Sequence, residues 1–369
     1  MRLYIHWPFC LSRCFYCDFT SQVTSAGVMR RYLEAVSREL VKWSALLLAE
    51  RKVLRSIYLG GGTPSILKGD EIASLLVEVD GAFAMLSGLE VTVEVNPATW
   101  TRRDFEDAAE AGVNRFSIGV QSLDDRTLDL LGRAHNASEA RSAVYEARRL
   151  RDASISVDLM YALPGDDGGV FERTLGDILE LQPHHISLYA LTLERGVPMY
   201  GKVRSGEIIL PEEDVAADQY LLAIKKLRAS GYRQYEISNF AMPGHECLHN
   251  LGYWRREEYL GVGASAHSLL GRLRLSNPDS LLMYIRRVEE NFIAASVVET
   301  LSREGELEEE IMLGLRMSGG IRESLLREAS VRLAPLQEAG LVTRERGRVA
   351  LTPLGMLVSN AVISELLCA

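Results

Sequence analysis

Three cysteines, Cys10, Cys14 and Cys17, stand within eight residues as C-x3-C-x2-C. Thiolates are soft ligands, and three this close can wrap one compact inorganic unit, either zinc or an iron–sulfur cluster. Structural zinc takes four closed ligands, and no fourth Cys or His follows at finger spacing; His6 is the local candidate. A cubane [4Fe–4S] on three thiolates instead leaves one iron open to an outside ligand. Trp7, Phe9, Phe15, Tyr16 and Phe19 flank the loop and would give a cluster an apolar shell that limits water and tunes its potential. Cys247 and Cys368 lie far away; an odd, clustered set argues for a metal or redox site over disulfides. Cys368 reads as an inert thiol.

A second loop, Gly60-Gly61-Gly62-Thr63-Pro64-Ser65, matches neither G-x-x-x-x-G-K-[ST] nor G-x-G-x-x-G, which argues against a phosphate loop. Consecutive glycines let the backbone approach a ligand, and bare carbonyls accept from an ammonium group. A plain tight turn is the alternative. Glu94, Gln121, Arg133 and Asp158 then fall at or just after successive apolar runs. A carboxylate there accepts from a ribose hydroxyl or an ammonium, glutamine both donates and accepts, and arginine clamps a carboxylate. Each alone reads as a solvated loop residue or a cap; four in succession are a stronger signal.

His249-Asn250-Leu251-Gly252-Tyr253-Trp254 forms an H-N-x-x-Y-W box. Imidazole ligates haem iron, and Tyr and Trp offer flat apolar faces to a porphyrin. The alternative is a loop in which His249 caps a helix and Trp254 fills the core. Cys247-Leu248-His249 is not C-x-x-C-H, so thioether attachment is not expected; Cys247 is a second candidate axial ligand.

These residues need a frame. Apolar runs at Leu3–Trp7, Ser56–Leu59, Glu90–Val95, Arg115–Val120, Ser154–Leu159 and His185–Leu191 predict six strands. Helical spacing predicts helices near 28–50, 70–85, 101–111, 137–151, 169–181 and 212–230. Asp70 marks the start of the second, and Thr101 with Asp104 resembles a capping box. Six strand–helix repeats imply a parallel α/β sheet, a partial (βα)6 TIM-type barrel whose functional residues follow each strand. Tyr235–Phe240 reads as one more strand. The expected domains are a barrel over 1–240, a connecting segment with the box over 241–298, and a winged-helix-like module over 299–369. In that module a hairpin pairs Leu341–Arg344 with Arg348–Leu351 around Gly347.

Length and composition agree. The chain has 369 residues, 47% hydrophobic and 25% charged, an ordinary globular profile. A net charge of −9 disfavours general nucleic-acid or anionic-membrane binding, and the last 70 residues carry 8 Arg against 10 Glu. No 18-residue apolar stretch is present to span a bilayer, and Met1–His6 is too short for a signal-peptide core. The cytoplasm is the expected location. Homodimerisation and a peripheral membrane contact are compatible with the sequence.

The cysteine loop followed by the glycine loop resembles the radical S-adenosylmethionine (SAM) enzymes. Tyr4–Cys10, Gly60–Ser65, Gly119–Ser122, Leu131–His135 and Asp158–Gly165 narrow this to the coproporphyrinogen-dehydrogenase-like branch, over nearly the whole chain. The resemblance implies that Cys10, Cys14 and Cys17 hold [4Fe–4S]. It implies that Tyr4, Tyr16, Gly61, Gly62, Thr63, Glu94, Gln121, Arg133 and Asp158 contact SAM, whose amino and carboxylate groups chelate the open iron. Two functions remain. One is oxygen-independent oxidation of coproporphyrinogen III, decarboxylating two propionates to vinyls. The other is a haem chaperone, with haem and a haem-acceptor protein as partners. The oxidases carry C-x3-C-x2-C-x-C, whereas Phe19 stands at the fourth position here. The H-N-x-x-Y-W box resembles the chaperones' haem motif, which implies that His249 ligates iron beside Tyr253 and Trp254. Ala266-His267-Ser268 resembles the end of a family loop that usually carries Gly where Ser265 stands. No catalytic residue is assigned.

Overall fold

The computed structural model describes residues 1–47, 52–166, 168–326 and 331–367; Cys368 and Asp167 lie outside the described residues. Strand and helix alternate from the start. β1 (Arg2–Trp7) leads to α1 (Ala26–Leu47), β2 (Leu54–Gly61) to α2 (Gly69–Ala82), and β3 (Met85–Val95) to α3 (Arg102–Glu110). β4 (Arg115–Gln121) is followed by α4 (Asp125–Leu131) and α5 (Ala137–Arg148), then β5 (Ser154–Tyr161) by α6 (Gly169–Glu180). β6 (His185–Ala190), α7 (Pro198–Arg204) and α8 (Glu213–Ala229) follow. α4 and α7, at 7 residues each, are too short for apolar periodicity to announce them. Asp70 lies in the first turn of α2, whose N-cap is Lys68. The Asp104 carboxylate accepts the Thr101 N–H at 2.8 Å, as the capping pattern predicts.

β1 to β6 are hydrogen-bonded in chain order, each parallel to the next. The expected single strand at 235–240 is instead a short antiparallel pair, β7 (Arg233–Gln234) and β8 (Asn239–Ala241), on the edge of β6. α9 (Leu248–Trp254) carries the box. β9 (Tyr259–Val262) then pairs parallel with β1. β10 (His267–Leu270), β11 (Leu273–Ser276), α10 (Leu281–Glu289) and β12 (Ser296–Thr300) extend that edge. Residues 241–298, expected to connect, thus build a third of one 12-stranded sheet. Among the described residues the end strands β12 and β7 are not paired with each other.

The last elements are α11 (Arg303–Leu315), β13 (Ile321–Arg322), α12 (Leu333–Glu338), β14 (Val342–Glu345), β15 (Arg348–Leu351), α13 (Pro353–Leu357) and α14 (Ser359–Leu367). The predicted hairpin is β14–β15, completed by β13 into a three-stranded sheet. Its turn residues Arg346 and Gly347 have φ of 52° and 73°, the sign a two-residue hairpin turn needs. No described helix is long and apolar enough to cross a membrane.

Side chains alternate along a strand, and the parallel register carries the alternation across the sheet. Leu3, Ile5 and Trp7 face the helices, with Trp7 and Phe9 edge-on to Tyr32 of α1 at 6.0 and 5.2 Å. Burying each such side chain stabilises by about 1.5–3 kcal/mol. The other face is polar. Arg2, Tyr4 and His6 align with Ser56, Tyr58 and Gly60, then Ser56 and Tyr58 with Glu90 and Thr92. Thr92 and Glu94 continue into Arg115 and Ser117. This concave polar face is where chemistry can occur.

Candidate functional site

The cysteine loop leaves the C-terminal end of β1 and is tied down on both sides. Cys10 N–H donates to the Gln22 carbonyl at 3.1 Å, Phe15 N–H to Leu131 at 3.0 Å, and Met199 N–H to Phe15 at 2.9 Å. α4 and α7, unforeseen from sequence, therefore clamp the loop. The three thiols are free and half-buried. They line a cavity of about 300 Å3, and among the described residues they do not converge on a point that one metal ion could fill. Tyr16 and Phe19 line this cavity as well. Trp7 and Phe9 do not form the expected shell, because strand alternation turns them to the helix side.

The glycine loop fits against β1. Gly62 N–H donates to Trp7 O and Thr63 N–H to Phe9 O, both at 2.7 Å. A Cβ on Gly62 would sit 2.6 Å from Phe9 O, and one on Gly61, at φ +113°, 2.5 Å from the His6 ring. The glycines thus dock one loop on the other as well as opening backbone to a ligand.

Of the expected SAM residues, Tyr16, Gly61, Gly62, Thr63, Glu94, Gln121, Arg133 and Asp158 line the cavity. Glu94 accepts from Tyr58 Oη at 2.8 Å and Gly61 N–H at 3.0 Å. Burial, with the Asp158 charge adding to it, pushes its carboxyl up to about 7. Asp158 takes the Ser117 hydroxyl at 3.2 Å, and burial pushes it up to about 6. Arg133 donates through Nη1 to Cys14 Sγ at 3.3 Å and through Nη2 to Gly119 O at 2.7 Å, while its buried Nε has no partner. Gln121 has φ of 67°, a left-handed conformation that non-glycine residues hold chiefly where structure over-determines them. Thiols, two carboxylates short of positive partners and an under-satisfied guanidinium in one cavity fit a cluster plus a zwitterionic, hydroxyl-bearing nucleotide.

Tyr4 instead lines an adjoining cavity of about 630 Å3, its hydroxyl 2.9 Å from His6 Nδ1. Phe19, Gly61 and Glu94 line both cavities, so the two are contiguous. Tyr253 lines the second cavity; Trp254 is half-buried and lines neither.

His249 is fully buried. Its Nδ1 lies 2.9 Å from Ser56 Oγ and its Nε2 2.9 Å from Tyr253 Oη, with the Tyr58 ring tilted against it at 5.1 Å. Glu90 accepts the Leu248 and His249 N–H groups at 3.0 and 2.8 Å, fixing the start of α9 against β3. Both ring nitrogens of His249, the expected haem ligand, are thus engaged in this structure, at the end of the sheet away from the cysteines. The alternative of a helix-capping His249 is replaced, since Glu90 satisfies the helix N-terminus. Burial, with the Glu90 charge adding to it, pushes the Cys247 thiol up to about 12. Asp166, given no role from sequence, accepts the Val170 and Phe171 N–H groups at 3.0 and 2.8 Å and so caps α6. Sequence reasoning missed Tyr58, Ser117 and Tyr189; their signal is the polar register shared across β2, β4 and β6.

The model of the radical SAM superfamily matches residues 4–178, and that of the HemN C-terminal domain residues 301–358. The chain is 33% identical to the heme chaperone HemW of Bacillus subtilis, over 99% of this chain and 98% of that protein. It is 38% identical to the mitochondrial radical S-adenosyl methionine domain-containing protein 1 of Danio rerio, over 86% of this chain and 73% of that one. The solved coproporphyrinogen III oxidase HemN of Escherichia coli superposes with a TM-score of 0.85 at 24% identity, covering 99% of this chain and 89% of that one, which shows the shared fold.

The chain belongs to the radical SAM superfamily, whose members use [4Fe–4S] and SAM. Within it, the chain lies in the HemN-like branch close to HemW.

Proposed function

We propose that this chain is a haem chaperone that binds [4Fe–4S], SAM and haem and passes haem to an acceptor protein. Cys10, Cys14 and Cys17 would hold the cluster, with Arg133 orienting the Cys14 sulfur. Glu94 and Asp158 would accept from the ammonium and hydroxyl groups of SAM, beside Tyr16, Gly61, Gly62, Thr63 and Gln121. When bound, the reduced cluster supplies one electron to a sulfonium. A reducing compartment, the cytoplasm, suits these free, half-buried thiols.

Phe19 carries the choice of chaperone over oxidase. It stands where the oxidases place a fourth cysteine, is 60% exposed and lines both cavities. The junction therefore offers a hydrophobic ring where an oxidase would offer a thiol. The full-length likeness to proteins named heme chaperone supports the same reading.

The test is anaerobic incubation of reconstituted protein with reductant, SAM and coproporphyrinogen III, beside a hemin-transfer assay to an apo-haemoprotein. Transfer without protoporphyrinogen is expected. Protoporphyrinogen formed over multiple turnovers overturns the reading in favour of the oxidase.

A further inference from the structure

A third, smaller cavity of about 50 Å3 lies within the concave polar face, toward the strand starts. Glu94, Ser117, Asp158 and Tyr189 line both it and the cavity of the cysteine loop, so the two adjoin. Strand register builds it. Thr92 of β3 stands beside Arg115 of β4, and Asp158 of β5 beside Ser187 of β6. Alternation along each strand turns all four to this face.

Two buried polar groups on its walls lack partners among the described residues. Thr92 is 0% exposed, and its Oγ1 is unpaired. Arg115 is 4% exposed; its Nε donates to Glu90 at 2.9 Å and its Nη2 to His245 O at 2.7 Å, while its Nη1 meets no acceptor. Native interiors satisfy nearly all such groups, through protein or through ordered water. On the opposite wall Asp158 accepts from Ser117 at 3.2 Å, and a carboxylate has sites for about four donors.

Size and charge choose the occupant. The cavity is far below the roughly 300 Å3 of a small-molecule site. A cation would meet the Arg115 guanidinium, and an anion would meet Asp158 and Glu94. Water accepts from Arg115 Nη1 and donates to a carboxylate or a hydroxyl oxygen, so it suits both ends. One molecule needs about 10–15 Å3, which gives room for about three.

Resting on the cofactor reading above, we infer that this cavity is a built water site, in which bound water joins Thr92 Oγ1 and Arg115 Nη1 to the Asp158 carboxylate. Asp158 then faces the nucleotide on one side and, through water, a buried cation on the other. The bridge favours ionised Asp158, the form that accepts from an ammonium or a hydroxyl, and in a low-dielectric interior a hydrogen-bonded chain transmits that preference strongly. Thr92 and Arg115 reach the cofactor only through Asp158 and are positioning residues.

The test uses the full chain with its cluster reconstituted anaerobically. A crystal structure that resolves ordered solvent should show water within hydrogen-bond distance of Thr92 Oγ1 and Arg115 Nη1. Thr92→Val keeps the shape of the side chain and removes the hydroxyl, and Thr92→Ser retains the hydroxyl. Thr92→Val should weaken SAM binding about threefold near pH 6 and leave it unchanged near pH 8.5, where the carboxylates are already ionised. Thr92→Ser should keep the wild-type pH profile. A dry cavity in the wild-type crystal overturns the water site, and so does density there that bromide replaces, which marks an anion. A wild-type pH profile in Thr92→Val, or equal weakening at both pH values, overturns the link to Asp158. A wild-type chain that binds no SAM at any pH overturns the cofactor reading, while the solvent density still decides the water site.

Discussion

Glu90 on β3 accepts the backbone N–H of His249 at 2.8 Å, and the same carboxylate holds Arg115 Nε at 2.9 Å. Glu90 and Arg115 are both buried. One charge pair therefore joins the middle of β3 and the start of β4 to the helix of the H-N-x-x-Y-W box. Removing one partner of a buried pair strands the other, at a cost of about 3–5 kcal/mol. Glu90→Gln should lower the unfolding free energy by an amount of that order, read as a lower urea midpoint at unchanged slope. Glu90→Leu/Arg115→Leu should recover part of the loss, because no isolated charge remains. A double variant less stable than Glu90→Gln would show that Glu90 acts mainly through the helix N-terminus.

This polar layer also shows what the sequence displayed and what was passed over. Apolar runs revealed six parallel strands, and the α/β sheet follows from them. The strict alternation inside the runs, Arg2-Leu3-Tyr4-Ile5-His6-Trp7 or Glu90-Val91-Thr92-Val93-Glu94-Val95, carried a second message. One face packs on helices and the other is a polar interior. Read that way, Tyr58, Ser117 and Tyr189 would have joined the site. The pairing of His249 Nδ1 with Ser56 was not legible, since the two lie 193 residues apart in the chain. The strands of 259–300 were hidden for a related reason: each is only 4 or 5 residues long, and pairing decides them more than propensity does.

Arg133 spans Cys14 Sγ and Gly119 O with the two ends of its fork. Lysine keeps the charge but cannot make both bonds in one plane. A hydrogen bond to a charged group contributes about 1.5–3 kcal/mol. Arg133→Lys should therefore weaken SAM binding by about 10- to 100-fold in the reconstituted protein, measured by equilibrium dialysis, with iron content unchanged. Loss of iron together with SAM would mean that Arg133 secures the cysteine loop rather than the nucleotide.

Glu94 and Asp158 make the ligand-free cavity sensitive to pH. Burial raises Glu94 from 4.5 to about 7 and Asp158 from 3.8 to about 6. The folded state then holds these protons more tightly than the unfolded chain does. Their contribution to stability is fully present below about pH 4 and is lost as pH rises through 6 and 7. Glu94→Gln should flatten the decline in urea midpoint between pH 5.5 and 8. A cationic ligand favours the ionised carboxylates, so SAM should bind more tightly as pH rises through this window. Calorimetry near pH 6.5 in buffers of different ionisation enthalpy should find up to about one proton released per SAM. No buffer dependence would remove the two carboxylates from the binding event.

Ser265 sits in the second cavity with φ of 61°, and its buried Oγ has no hydrogen-bond partner. The resembling family loop usually carries glycine there, and the left-handed conformation explains the preference, since a Cβ in that region costs about 1–2 kcal/mol. Ser265 N–H still reaches Pro278 O at 3.0 Å, so the loop is held in this strained form by its surroundings. Ser265→Gly relieves the backbone and removes an unsatisfied hydroxyl, while loosening the unfolded chain slightly. The net expectation is a gain of about 1 kcal/mol, read as a higher urea midpoint with an unchanged slope. A loss of stability would mean that the hydroxyl has a partner in solution, such as bound water or the cavity's ligand, and hemin titration of the same variant separates the two.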